Sequence, residues 1–182
     1  LAVPVYSFIA GVGMMVGMGG ATRFSLLKGS DNKDMPNQIF SQSMLFGLIS
    51  SIFFVLLGLF FAHPLSRLLG ADASVHDMTV SYLRIILLFS PMFITNNILI
   101  CFVRNDGNPK LSMFAMLIGS FSNIILDYIF IFPFGWGMLG AALATGIAPI
   151  VSMLIMSAHF KDERHILRMV KVAPKFKSIM DV

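Results

Sequence analysis

A single acidic residue, Asp127 in the stretch SNIILDYIF, stands in a run that is otherwise free of charge from Leu111 to Phe160. An ionised carboxylate at the centre of a membrane-spanning helix costs about 2.5 to 3.5 kcal/mol, so such a group normally faces a partner or a cavity. Asn123 lies four residues earlier, and on a helix the two side chains share one face. Together they offer carboxylate and amide oxygens, the groups that take a proton or ligate a hard cation. The competing account is interhelical glue, with both groups hydrogen-bonded to a neighbour and no part in turnover. Thr95, Asn96 and Asn97 are the other polar groups expected at membrane depth, just past Pro91, whose missing amide hydrogen favours a kink. Adjacent asparagines face different ways on a helix, and spacing leaves open which of them turns toward Asp127.

The elements that must hold these residues are set by hydropathy. The chain has 182 residues, 57% hydrophobic and 12% charged, against about 25% charged in a soluble domain. The uncharged stretches from Leu1 to Thr22, Met35 to Ala62 and Ile85 to Val103 each match or approach the roughly 20 residues that cross a bilayer. The run from Ser112 to Phe160 adds two more spans, separated near Pro133 to Gly137. The expectation is an all-α, polytopic membrane helix bundle with helices over about 1–27, 36–62, 78–103, 110–133 and 137–159, followed by a basic tail over 161–182. Buried helices of a soluble protein keep a polar stripe, and GLISSIFFVLLGLFFA has none.

Alternating loops place 11 of the 13 Lys and Arg residues on one side, in loops 23–36 and 104–110 and the tail 161–182, leaving Arg67 and Arg84 on the other. The positive-inside rule makes the first side cytoplasmic in a cell (inner) membrane. The tail reads as a basic, amphipathic linker drawn to anionic lipid. The net charge of +4 lies in these loops, so it argues for membrane lipids as partners and against nucleic acid. HPLSRLLGADASVHDM reads as an outer connection with a short interfacial helix before Gly70. The chain opens at full hydrophobicity without Met, as an excerpt of a longer protein would.

Small residues recur at close-packing spacing, Gly13, Gly17 and Ala21 early and Gly140, Ala144 and Ala148 late. Fourteen Met and 18 Phe suit lipid contact and an adaptable apolar surface. The lone Cys101 excludes an internal disulfide, and His63, His76, His159 and His165 show no partner spacing. There is no nucleophile elbow, phosphate loop or zinc spacing, so the chain reads as no enzyme and as needing no organic cofactor.

RNDGNPKLSM (104–113), SNIILDYIFIFPFGWGMLGAALATGIA (122–148) and GMGGATRFSLLKGSDNKDMPNQIFSQS (17–43) resemble the multidrug and toxic compound extrusion (MATE) transporters. The likeness runs through essentially the whole chain, as helices two to six of a family with about twelve spans. It implies a cation or proton site at Asp127, Asn123, Asn97 and Thr145, where sodium is the metal ion in question, and it selects Asn97 over Asn96. It also implies a secondary active exporter that exchanges cationic or amphipathic small organic substrates for sodium ions or protons by alternating access. The family's first helix, which supplies a second acid, and its carboxy-terminal lobe are missing from this chain. Two other readings are a flippase for lipid-linked precursors, which would need more buried basic charge than Arg84, and a non-transporting membrane scaffold.

Overall fold

The computed structural model describes residues 2–29, 34–161 and 166–170. Over these it is helical, with no strand. The order is α1 (Val3–Leu27), α2 (Met35–Phe60), α3 (Ala62–Leu68), α4 (His76–Leu88), α5 (Ser90–Asn105), α6 (Pro109–Ile131) and α7 (Gly137–Met156), with a 3₁₀ turn at Ser157–Lys161. Four helices are long and apolar enough to cross a membrane, and α4 with α5 makes a fifth, bent span. The protein is a multi-pass membrane helix bundle.

The helix ends follow from local chemistry. Proline stands in the first turn of α1, α2, α5 and α6, where an amide hydrogen has no intrahelical acceptor anyway. Asn108 caps α6, its side chain accepting from the Leu111 amide at 3.2 Å. After α3 the chain turns at Gly70 with φ +81°, a conformation that favours glycine.

The span expected as one helix over 78–103 is broken at Phe89, and its halves meet at a bend of 46°. Pro91 cannot donate to the Leu87 carbonyl, so the ladder is interrupted and the helix restarts with proline in its first turn. Two contacts fix the bend. Ser90 Oγ donates to the Ser51 carbonyl of α2 at 3.2 Å, and the Phe89 ring lies against Gly146 of α7, where a Cβ would stand 2.5 to 2.8 Å from the ring.

α5 is the central helix. Phe93, Ile94 and every residue from Ile98 to Val103 are buried, and α1, α2, α6 and α7 all pack on it. Gly13 and Gly17 let α1 approach, since a Cβ at either would be 3.1 Å from α5 backbone atoms. α6 and α7 form a second close pair. At Gly140 a Cβ would come 2.8 Å from Phe130 Cβ and 3.0 Å from its carbonyl group, and backbone there cannot step aside. Gly140→Ala is therefore expected to destabilise the full-length protein by about 1 to 3 kcal/mol, seen as a lower melting temperature.

At the end of the bundle that carries Lys28, Arg104 and Lys161, the turn after α5 buries Asp106. Its Oδ1 accepts from Lys28 Nζ at 3.0 Å. Its Oδ2 accepts from His159 Nε2 at 2.9 Å and from the amides of Ile166 at 3.0 Å and Leu167 at 3.3 Å. Burial alone would push the Asp106 carboxyl up, but these four hydrogen bonds together outweigh it and hold the group below its ordinary value. The described part of the tail, 166–170, packs against the bundle. It has no helix, Leu167 is fully buried, and Asn37 Oδ1 and Ser41 Oγ accept from the Arg168 and Val170 amides at 2.8 and 2.9 Å. Protein side chains thus accept from four of its five amides. Residues 162–165, with His165, and 171–182 lie outside the described residues.

Candidate functional site

Between α5, α6 and α7, with Tyr6 of α1 at its edge, lies a cavity of about 460 Å³. Three of the four residues expected to bind a cation or proton line it: Asn97 from α5, Asn123 from α6 and Thr145 from α7. Asp127 does not. It sits on α6 one turn beyond Asn123, outside the lining.

Each side chain is placed by its own helix. Asn97 Nδ2 donates to the Ala10 carbonyl of α1 at 3.3 Å, and Gly13, whose Cβ would be 3.1 Å from Asn97 Cβ, brings the two helices close enough for that bond. Thr145 Oγ1 donates to the Ala141 carbonyl at 2.9 Å. Its proton is thereby committed, and the oxygen keeps lone pairs for another donor or an ion.

Asn123 Nδ2 and Asp127 Oδ1 are both buried, and neither has a hydrogen-bond partner. The two groups share a face of α6, yet among the described residues no bond joins these atoms to each other or to a neighbouring helix. A buried polar atom left unpaired costs roughly 1 to 3 kcal/mol, and native structures keep few of them without a functional reason. A carboxylate oxygen in this condition is equipped to hold a proton or an ion, and an amide NH2 to donate to a water or another acceptor.

Asn96 Oδ1 and Ser152 Oγ share the condition, and both residues line the cavity. Asn96 and Asn97 therefore both reach the cavity wall. Successive side chains lie about 100° apart on a helix, and the cavity is broad enough to meet both. Ser152 gave no signal in the sequence beyond being a small polar residue in an apolar helix.

Away from the cavity, the fold gives neighbours to histidines that show no partner spacing in the sequence. His63 Nδ1 lies 3.4 Å from His76 Nε2, whose ring also meets Ser66 Oγ at 3.2 Å. His159 donates to Asp106. Among the described residues no cluster of three metal-ligating side chains occurs.

The profile of the MatE family matches residues 1–129. The chain belongs to the MATE family. Two MATE relatives are the multidrug export protein MepA of Staphylococcus saprophyticus, 34% identical over 169 residues covering 93% of this chain and 38% of the relative, and MepA of Staphylococcus aureus strain MRSA252, 31% identical over 181 residues covering 99% and 40%. The fold matches an inward-facing multidrug resistance MATE transporter of the MOP superfamily with a TM-score of 0.91 at 25% identity, over 99% of this chain and 42% of the other. A MOP-superfamily transporter of Pyrococcus furiosus matches with a TM-score of 0.87 at 25% identity, over 98% of this chain and 40% of the other. The chain thus spans about two fifths of the length of the MATE proteins it matches.

Proposed function

We propose that this chain is the amino-terminal part of a multidrug exporter, and that it carries the site through which a sodium ion or proton drives efflux. The observation that supports this reading most strongly is the meeting of Asn97, Asn123 and Thr145 on one cavity, with Asn123 Nδ2 and Asp127 Oδ1 buried and unpaired beside it. Asp127 supplies the charge, Asn123 and Thr145 supply neutral ligating groups, and Asn97 is oriented by α1.

The exporter takes cationic or amphipathic organic compounds, for which a Met- and Phe-rich surface is permissive. Loops 23–36 and 104–110 and the tail 161–182 lie on the cytoplasmic side of the inner membrane, a reading that the 11 to 2 division of basic residues supports. Each charge entering gains about 2.3 kcal/mol per 100 mV. Neutralising Asp127 changes the packing preference of α6 against α7 and so the affinity for substrate, and the coupling is reciprocal.

The test is the melting temperature of the purified full-length protein against sodium concentration at two pH values, for wild type and Asp127→Asn. Sodium is expected to stabilise the wild type and not the variant. A wild type that responds to pH alone identifies the ion as a proton. No response to either ion refutes the reading.

A further inference from the structure

α2 runs from the Asp106 end of the bundle to the opposite end, and there two histidines meet. His63 belongs to α3, the short helix that follows α2, and His76 opens α4, with the connection 69–75 between them. His63 Nδ1 and His76 Nε2 are 3.4 Å apart. A hydrogen bond from a ring N–H is ordinarily shorter, about 2.7 to 3.2 Å. Two nitrogens on one tetrahedral zinc ion, each bonded at about 2.0 to 2.1 Å, stand about 3.3 to 3.4 Å apart. The rings meet edge to edge, with centroids 5.6 Å apart and planes at 41°, and a small turn of the exposed His63 ring aims both lone pairs at one ion. The other nitrogen of His76 is also placed. Ser66 is fully buried, and its Oγ is 3.2 Å from His76 Nδ1. A metal-ligating histidine donates its second ring N–H to an outer partner, which fixes the tautomer. With Nδ1–H donating to Ser66 Oγ, the lone pair of His76 sits on Nε2, the nitrogen that faces His63.

We infer that His63 Nδ1 and His76 Nε2 form a two-histidine site for a divalent transition-metal ion, zinc being the ion of matching geometry, with Ser66 as the residue that positions His76. Imidazole nitrogen suits zinc, copper and nickel, whereas calcium and magnesium take oxygen ligands. Among the described residues no third His, Cys, Asp or Glu joins the pair, so water completes the tetrahedron and the ion exchanges with solvent past the exposed His63. An ion held by both rings ties α3 to the first turn of α4 across 13 positions of chain. Because α4 also packs on α2 and α7, the ion stabilises this end of the bundle by mass action. The site shares no residue with the cavity between α5, α6 and α7, and it stands whether or not that cavity takes a coupling ion.

The experiment titrates zinc chloride into purified, tag-free full-length protein after treatment with a chelator, with a chromophoric zinc indicator as competitor and the melting temperature as a second readout. Wild type should compete for zinc and melt higher with it. Ser66→Ala keeps both ligands and should weaken zinc about 10- to 100-fold. His63→Gln keeps a polar side chain beside His76 but removes a ligand. It should weaken zinc by at least as much while the zinc-free melting temperature changes little, a split that a merely structural pair would not give. His76→Gln repeats the measurement should His63→Gln fail to fold. Asp127→Asn should keep wild-type zinc affinity, and a loss there would assign the zinc to the cavity and overturn the histidine site. Unchanged zinc affinity in the histidine variants overturns it too, as does a wild type that never competes with the indicator.

Discussion

Asp127→Asn in the full-length transporter should reduce drug resistance in a susceptible host to the level of an empty vector, with the protein still present in the membrane. The two side chains are nearly isosteric, so α6 keeps its helical shape. What is lost is the charge. Asp127 Oδ1 is buried without a partner, so no hydrogen bond of that atom is broken, and removing an ionisable group from a spanning helix favours insertion. Loss of function therefore cannot be ascribed to a disrupted neighbour. An ion-to-substrate coupling of typical size changes affinity about 5- to 150-fold, and a transporter without it is expected to lose efflux by at least the lower of these factors. Asn123→Ala should fall between, because it removes one ligating group and keeps the charge. The measurements are the minimal inhibitory concentration and the initial efflux rate of a fluorescent cation, each normalised to membrane protein level. Undiminished resistance from a normally inserted Asp127→Asn protein would refute the proposed mechanism.

The sequence makes the helices of this bundle legible because long uncharged runs have few alternatives to spanning a bilayer. The third span was only half legible. Pro91 announced a kink, but the break at Phe89 and its bend of 46° depend on Ser90 reaching Ser51 and on Gly146 admitting the Phe89 ring. Both contacts join residues far apart in the chain. Asn123 and Asp127 were legible from composition and helical spacing alone. Asn97 and Thr145 required the family resemblance, and the structure adds Asn96 to the same wall because the cavity is wider than one helical face. Ser152 was not legible, since its distinguishing property is a hydrogen bond that it does not make. The Asp106 cluster was invisible to spacing, because Lys28, His159 and Ile166 lie 78, 53 and 60 residues away.

That cluster sets the second large effect. Asp106→Ala is expected to destabilise the full-length protein by roughly 3 to 5 kcal/mol, because several buried donors lose their acceptor at once and each orphaned donor costs about 1 to 3 kcal/mol. His159, 4% exposed, and the Ile166 and Leu167 amides all lose their acceptor. Lys28 contributes little of this, being about a third exposed and screened by water. The geometry also predicts an order among substitutions. Asparagine can place its oxygen where Oδ2 receives three donors and turn its amide toward Lys28, which is free to swing into solvent. Asp106→Asn should therefore retain most of the stability that Asp106→Ala loses. Acid should weaken the same cluster. Because the folded carboxyl is held below its ordinary value of 3.8, its contribution is complete above that value and is lost as pH falls through the lower folded one. A cysteine in place of the fully buried Leu167 reports this directly. Its labelling by a water-soluble maleimide at neutral pH should be slow with Asp106 intact, nearly as slow in Asp106→Asn, and fast in Asp106→Ala, since the 166–170 backbone loses two of its four hydrogen bonds to side chains only when Oδ2 is gone. Equal rates in all three would show that the Asn37 and Ser41 contacts hold the segment without the carboxylate.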